Sequence, residues 1–389
     1  MKKLFGVVLL VLFTFISNSN AQDQTDVLFC LKDMGDTSAL APVLEKLESR
    51  KITYKILAFG VAKASFEGHP HMLDVSKQCG EDAPTLDVDS PRDQKLSQNQ
   101  LECVKRSVTP KIVVAGMASS AQAQVLNLFK STGSRVYAYY DNFDSVVGKD
   151  YVQPFFEAIK TVDAYLVPSR SSLPGFKELQ KTKNSEHIVV GQPSLENWDQ
   201  IFSEVNSFSL RTQLGLMAHD KVVVFAGGYD ETYAESFKTF VSGMKKLAPL
   251  RAFVIAHPRV DGVFEKTLVD QEKASNISVV NVSNLPTSVM STLASLVVCH
   301  KSSVGMQALY KGRPVIYVAR KDDYTNFSIK KGVAVQVETP DEFYEEAKRL
   351  LAIRDRPKSP LKKLGIPNNA SEKIATYFHR VLKNKKRST

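Results

Sequence analysis

Two short clusters carry the residue types needed to handle an anionic ligand. The first is Lys301-Ser302-Ser303-Val304-Gly305, which follows an apolar run and opens a helical pattern. Small residues let backbone amides approach a phosphate, the hydroxyls can donate to it, and a helix amino end favours negative charge. The same serines serve equally well as helix caps. The second cluster is Ala256-His257-Pro258-Arg259, again just after an apolar run. A histidine there can protonate a departing phosphate and an arginine can pair with it. A solvated surface pair has the same appearance in sequence. A carboxylate able to take a proton from a hydroxyl is Asp141, with Asp144 three places later. The plain alternative is an Asx turn, more so for Asp144.

Strand ends must position these clusters. Apolar runs that read as strands lie at 26–31, 52–59, 111–115, 135–140, 164–167 and 188–189, then at 221–226, 251–256, 277–282, 296–299, 315–318 and 333–337. Helical patterns alternate with them, among others at 39–48, 121–130, 232–247, 304–310 and 341–351. The turn 32–38 holds Gly35-Asp36-Thr37-Ser38, and the turn after 221–226 holds Gly227-Gly228-Tyr229-Asp230-Glu231. The polar stretch Asp82 to Gln100 reads as a surface excursion. Repeated strand and helix predict an α/β chain of two doubly wound, Rossmann-like domains facing a central cleft. Ligands then bind beyond the carboxyl ends of the strands.

The 389 residues carry a formal charge of +10. Met1-Lys2-Lys3, the apolar run Leu4 to Ile16, and the small residues Ser19 and Ala21 read as an export signal cleaved after Ala21. That leaves a mature charge of about +8, and a body long enough for two domains. The expected division is signal 1–21, first domain 22–195, second domain 196–365, and a basic helix and tail 366–389. Localisation is expected to be exported: periplasm, secretory lumen or exterior. Cys30, Cys79, Cys103 and Cys299 show no CxxC spacing, so neither zinc nor a thioredoxin-type site is supported. Cys79 and Cys103 flank the polar stretch and are candidates to pair in an oxidising compartment. Gly68-His69-Pro70-His71 lacks a third ligand and reads as a loop, so no metal is expected. No nucleic-acid motif with interleaved aromatics is present. The tail Lys383–Arg387 offers a peripheral contact with an anionic surface.

The order of motifs in the second half resembles the C-terminal domain of GT-B-fold glycosyltransferases and of the related UDP-N-acetylglucosamine 2-epimerases. The residues that carry the likeness are Gly227-Gly228, then His257-Pro258, then Ser302-Ser303 through Gln307 to Gly312-Arg313-Pro314-Val315. The likeness covers nearly the whole mature chain in strand order, and its specific motifs cover residues 227–337. It implies a donor side in the second domain, where Gly227, Gly228, Arg259, Ser302 and Ser303 meet the phosphates and Gln307 meets the ribose. Glutamate usually stands at the position of Gln307. It also implies an acceptor side in the first domain, with Gly35 in a small-residue turn. A second resemblance is to bacterial sialyltransferases, through His257-Pro258, Ser302-Ser303 and the pair Asp141 and Asp144.

The expected activity is that of a glycosyltransferase. It would move a sugar from a nucleotide-sugar to a glycan or glycoconjugate acceptor, with Asp141 as base and His257 stabilising the leaving group. No cofactor beyond the nucleotide-sugar donor is expected, because basic residues and the helix end can stabilise the charge. Two alternatives stand beside it. One is an exported, non-catalytic protein that binds a glycan or nucleotide on this fold. The other is a sugar-nucleotide 2-epimerase, against which the turn 227–231 offers no histidine or arginine.

Overall fold

The computed structural model describes residues 23–257, 259–280, 285–353 and 360–385. The leader Met1–Ala21, Pro258, Val282 and the basic residues Lys386 and Arg387 lie outside that set.

Two six-stranded parallel sheets organise the chain. The first comprises β1 (Asp23–Leu31), β2 (Tyr54–Ala58), β3 (Val108–Gly116), β4 (Arg135–Tyr139), β5 (Ala164–Val167) and β6 (Glu186–Val189), in the order 2-1-3-4-5-6. The second comprises β7 (Val222–Ala226), β8 (Arg251–Ile255), β9 (Ile277–Val280), β10 (Leu296–Cys299), β11 (Val315–Val318) and β12 (Val335–Val337), in the order 12-11-10-7-8-9. Helices cover both faces of each sheet. In β1, Val27, Phe29 and Leu31 pack into one apolar cluster while Leu28 and Cys30 pack into another on the opposite face. Burial on both sides is why these strands read as continuous apolar runs and not as alternating ones. The second sheet repeats the arrangement, with Val222 and Val224 on one face and Val223 and Phe225 on the other.

Strand order locates the crevices. The first sheet reverses between β1 and β3, the second between β7 and β10. Ligands of open α/β sheets sit at such switch points. The turns that open there are 32–33 and 117–119 in the first lobe, and 227–231 and 300–303 in the second.

The structure departs from expectation in three places. The helix after β1 runs Met34–Glu48, so Gly35, Asp36, Thr37 and Ser38 form its first turn and not a loop. The Asp36 carboxylate takes the Lys32 N–H at 3.2 Å, which ties the helix directly to the strand end. The stretch 82–100 is not a free excursion: Ala83, Leu86 and Leu96 are buried in the first lobe's core. It runs into an unforeseen helix, Gln98–Ser107, opened by a Ser97–Gln100 capping box. Cys79 and Cys103 form a disulfide across this region. Last, the terminal helix Ala370–Lys385 packs back on the first lobe, with Ile374, Ala375 and Phe378 buried in the core that holds Leu40, Val43 and Leu47. The second sheet's core begins earlier in the chain, at Leu195 and Trp198.

Candidate functional site

A cavity of about 570 Å³ opens between the lobes, at the carboxyl ends of both sheets. Its second-lobe wall grows out of β10. After Cys299 the chain turns through His300, Lys301, Ser302 and Ser303 into the helix Val304–Tyr310. Ser302 Oγ accepts the Val304 N–H at 3.2 Å, so Ser302 fills the capping role. Ser303 makes no side-chain cap bond and is exposed to the cavity. The helix has only seven residues. Its dipole acts only at close range, so full positive charge on this wall comes from Lys301. Glycine at 305 lets the Tyr317 ring pass beneath the turn, where its hydroxyl donates to Ser302 O at 3.4 Å. Gln307 also lines the cavity, and its amide donates to Ser194 O at 3.5 Å.

The first-lobe wall is built by the start of helix Met34–Glu48 and the loop after β4. Asp141 follows Tyr140 at that strand end and lines the cavity. Its carboxylate lies against Gly35, where any Cβ would overlap Oδ2. Gly35 therefore makes room for a carboxylate at the first turn of the helix. Burial pushes the Asp141 carboxyl above the usual range, opposed by the Tyr151 hydroxyl, which donates to Oδ1 at 3.2 Å. Behind it sits Asp36, fully buried under Gly116. Asp36 takes a 2.6 Å bond from Gln122 Nε2, whose other hydrogen goes to Cys30 O. Burial first, and then the charge of Asp141, push the Asp36 carboxyl up to about 7.

The two walls touch. Phe143 and Phe327 stack across the cleft with centroids 5.9 Å apart and planes at 25°. Asp144 lines the same cavity and pairs with two lysines, 3.5 Å from Lys330 and 3.8 Å from Lys149.

The expected site residues divide plainly. Asp141, Gly35, Ser302, Ser303 and Gln307 line the one cavity. His257 and Arg259 do not. They stand past the end of β8, stacked on Tyr229: the His257 ring is 4.3 Å from the Tyr229 ring, and the Arg259 guanidinium is 4.9 Å from it. Burial, then Arg259, lower the His257 pKa. His257 Nδ1 accepts the Arg259 N–H at 3.2 Å, which leaves Nε2 as the donor nitrogen. Gly227 and Gly228 are buried packing glycines, absent from the cavity wall. A Cβ at 227 would meet the backbone of Ile255 to His257, and one at 228 would meet the rings of Tyr233 and His300.

Sequence reading missed His300, Asp230, Thr232 and Asp323, which gather around Lys301. The rule that singled out Ser302, inspection of the residues just after each strand, also points to His300. Among the described residues no three histidine, cysteine or acidic side chains converge as metal ligands, and no helix is long and apolar enough to cross a membrane. The rings of His69 and His71 pack around Tyr54. A second hollow of about 550 Å³ lies among Thr25, Thr53, Lys105 and Lys111. It sits at the amino ends of the first sheet's strands, away from the switch points.

Comparison with known proteins bears on the fold. Residues 211–324 match the family model described as capsule polysaccharide biosynthesis protein. No curated protein matches the chain by sequence. A putative UDP-N-acetylglucosamine 2-epimerase from Listeria monocytogenes superposes with a TM-score of 0.63 at 14% identity, covering 95% of this chain and 98% of its own. The UDP-GlcNAc 2-epimerase of Neisseria meningitidis, solved with UDP-GlcNAc, gives 0.59 at 14%, covering 91% and 100%. A glycosyltransferase from Rickettsia africae gives 0.55 at 10%, covering 94% of each. The chain has the GT-B-like architecture of two Rossmann-like domains. At these identities the likeness speaks for the fold.

Proposed function

We propose that the protein is a glycosyltransferase that holds a nucleotide-sugar between its lobes and passes the sugar to a hydroxyl acceptor. One observation carries the reading. Asp141 and the Ser302–Ser303 turn line the same cavity from opposite lobes, each at a strand's carboxyl end. The donor phosphates rest on the Ser302 and Ser303 hydroxyls with Lys301 beside them, and Gln307 faces the ribose. Asp141 accepts the proton of the acceptor hydroxyl. Its raised pKa makes it a stronger base than an exposed aspartate. His257 and Arg259 reach the leaving diphosphate from the neighbouring strand end when the lobes close on a ligand.

Solved relatives described as UDP-GlcNAc 2-epimerases and as a glycosyltransferase support a nucleotide-sugar ligand. The packing of Gly227 and Gly228, with no histidine or arginine in that turn, favours transfer over epimerisation. The Cys79–Cys103 disulfide supports an oxidising, exported location for the mature chain.

Calorimetry with UDP, GDP and CMP, followed by donor turnover assays, tests the reading. Expected are micromolar binding of one nucleotide, its loss in Ser303→Trp, and loss of turnover with retained binding in Asp141→Asn. Binding of a free glycan with no response to any nucleotide would replace this reading with a non-catalytic one.

A further inference from the structure

Lys301 stands on the cavity wall with its ammonium already engaged. Nζ lies 2.6 Å from Asp323 Oδ2 and 3.4 Å from Asp230 Oδ2, and it donates to Thr232 Oγ1 at 2.9 Å. An ammonium has three hydrogens and accepts nothing, so these three partners can use all of them. Lys301 lines the cavity, whereas Asp230, Thr232 and Asp323 do not. The charge of the Lys301-Ser302-Ser303 turn is therefore committed to groups outside the cavity lining.

The three partners are not held alike. Asp230 and Thr232 stand between β7 and the helix that follows, and they lock each other. Asp230 Oδ1 accepts the Thr232 N–H at 2.9 Å and the Thr232 hydroxyl at 2.8 Å. The buried His300 ring lies behind them, with Nε2 3.0 Å from Oδ1 and 3.2 Å from Oδ2. Asp230 thus has partners besides Lys301 to keep it in place. Asp323 comes from a different strand end, the loop after β11. That loop's backbone is held by β12, where the Gln336 amide donates to Ala319 O and Arg320 O at 3.1 Å and to Tyr324 O at 2.7 Å. The Asp323 N–H closes a turn on Arg320 O at 3.2 Å. The Asp323 side chain itself is 33% exposed, so its carboxylate can swing into water by rotation about its own bonds while the loop stays put. Asp322, one place earlier, is turned to Arg320, with Nη2 at 2.6 Å.

We propose that the Asp323 carboxylate stands in for a ligand phosphate on Lys301, and that a phosphate entering the cavity binds Lys301 by taking its place. This deepens the nucleotide-sugar reading and rests on it. A phosphate seated on the Ser302 and Ser303 hydroxyls gains a bond from Lys301 only when one of the three partners gives way. Release of Asp230 or Thr232 would break the bonds they make to each other and move Asp230 off His300. Release of Asp323 gives up one exposed ion pair, an interaction of small worth, and returns its carboxylate to water. The phosphate brings more negative charge and more acceptor oxygens than the carboxylate it replaces. Asp230 and Thr232 remain and keep the ammonium aimed. Asp323 therefore sets how strongly the cavity takes an anion, and Asp230 sets where the charge stands.

The test is calorimetric titration of the mature chain with UDP, with CMP and with inorganic pyrophosphate at one fixed pH, in low and in high salt. Asp323→Asn is expected to bind about three- to fivefold more tightly than wild type at low salt, the range an exposed ion pair commands. The gain should shrink in high salt. Asp322→Asn removes an equal charge one residue away that faces Arg320, and it should stay within about twofold of wild type. Lys301→Met should bind about tenfold more weakly. Asp323→Asn added to Lys301→Met should bring no gain, because the competition needs both residues. Should Lys301→Met not fold by thermal melting, Lys301→Gln takes its place in the cycle. The inference falls, and the nucleotide-sugar reading stands, if a nucleotide binds and any of three results appears: Asp323→Asn does not tighten binding, Asp322→Asn tightens it equally, or the gain persists without Lys301. Absence of any nucleotide or pyrophosphate binding in the wild type overturns both.

Discussion

Only glycine at position 35 lets the Asp141 carboxylate lie against the first turn of helix Met34–Glu48, because a Cβ there would overlap Asp141 Oδ2. The backbone at Gly35 is ordinary helix, so the requirement is for space and not for an unusual dihedral angle. Gly116 makes the same allowance for Asp36. Two buried carboxylates are thus seated by two glycines at the first lobe's switch point.

Gly35→Ala should displace Asp141 while leaving the helix intact, since alanine is the better helix former. A small misplacement of a reacting group costs about 100-fold in rate. Steady-state kinetics should therefore show kcat falling by that order, with UDP affinity within about twofold of wild type. Unchanged kcat would remove Asp141 from the chemistry.

Stability should depend on pH through Asp36. Its carboxyl is raised from 3.8 to about 7 in the fold, chiefly by burial. The contribution is fully present below about pH 4, and is lost as pH rises through about 7. The total is on the order of 4 kcal/mol, and Asp141 acts in the same direction. Thermal melts of the wild type should fall between about pH 4 and 7, and Asp36→Asn should flatten that slope. An equally steep slope in the variant would locate the effect elsewhere.

The Phe143–Phe327 stack joins the lobes beside the cavity. Phe143 is partly buried, so Phe143→Ala should cost less than about 2 kcal/mol in melting stability, below the range for a fully buried aromatic. Its effect should fall instead on lobe closure, seen as a larger radius of gyration in small-angle scattering and a raised donor KM. Scattering and KM both unchanged would show that the lobes hold their geometry without it.

Reduction of the Cys79–Cys103 bond releases the stretch between the helices Val75–Cys79 and Gln98–Ser107, whose bridged cysteines are 24 residues apart in sequence. A loop of that length is worth about 3 kcal/mol. Denaturant titration with and without reductant should show the loss in the first lobe alone. Coincident destabilisation of both lobes would mean that they unfold as one unit.

The amino-acid order alone determined the strands of both sheets and the turns after them, because a strand buried on both faces must be an unbroken apolar run, and few other segments are. It also determined that Ser302, Ser303 and Asp141 stand at strand ends. The helix Gln98–Ser107, opened by the Ser97–Gln100 capping box, went unread, because the polar residues around it masked the buried Leu86 and Leu96. Tertiary structure alone decided which strand ends share a cavity. Sheet order brings β7 next to β10 across about 70 residues of chain, and so joins His300 to Asp230, while His257 falls to the side. It also placed Gly227 and Gly228 at packing positions away from the cavity wall, and gave Gly35 the task of making room for Asp141. A glycine's lack of a side chain has the same spelling whether the space is kept for a phosphate, a carboxylate or a ring, and only the folded neighbours say which.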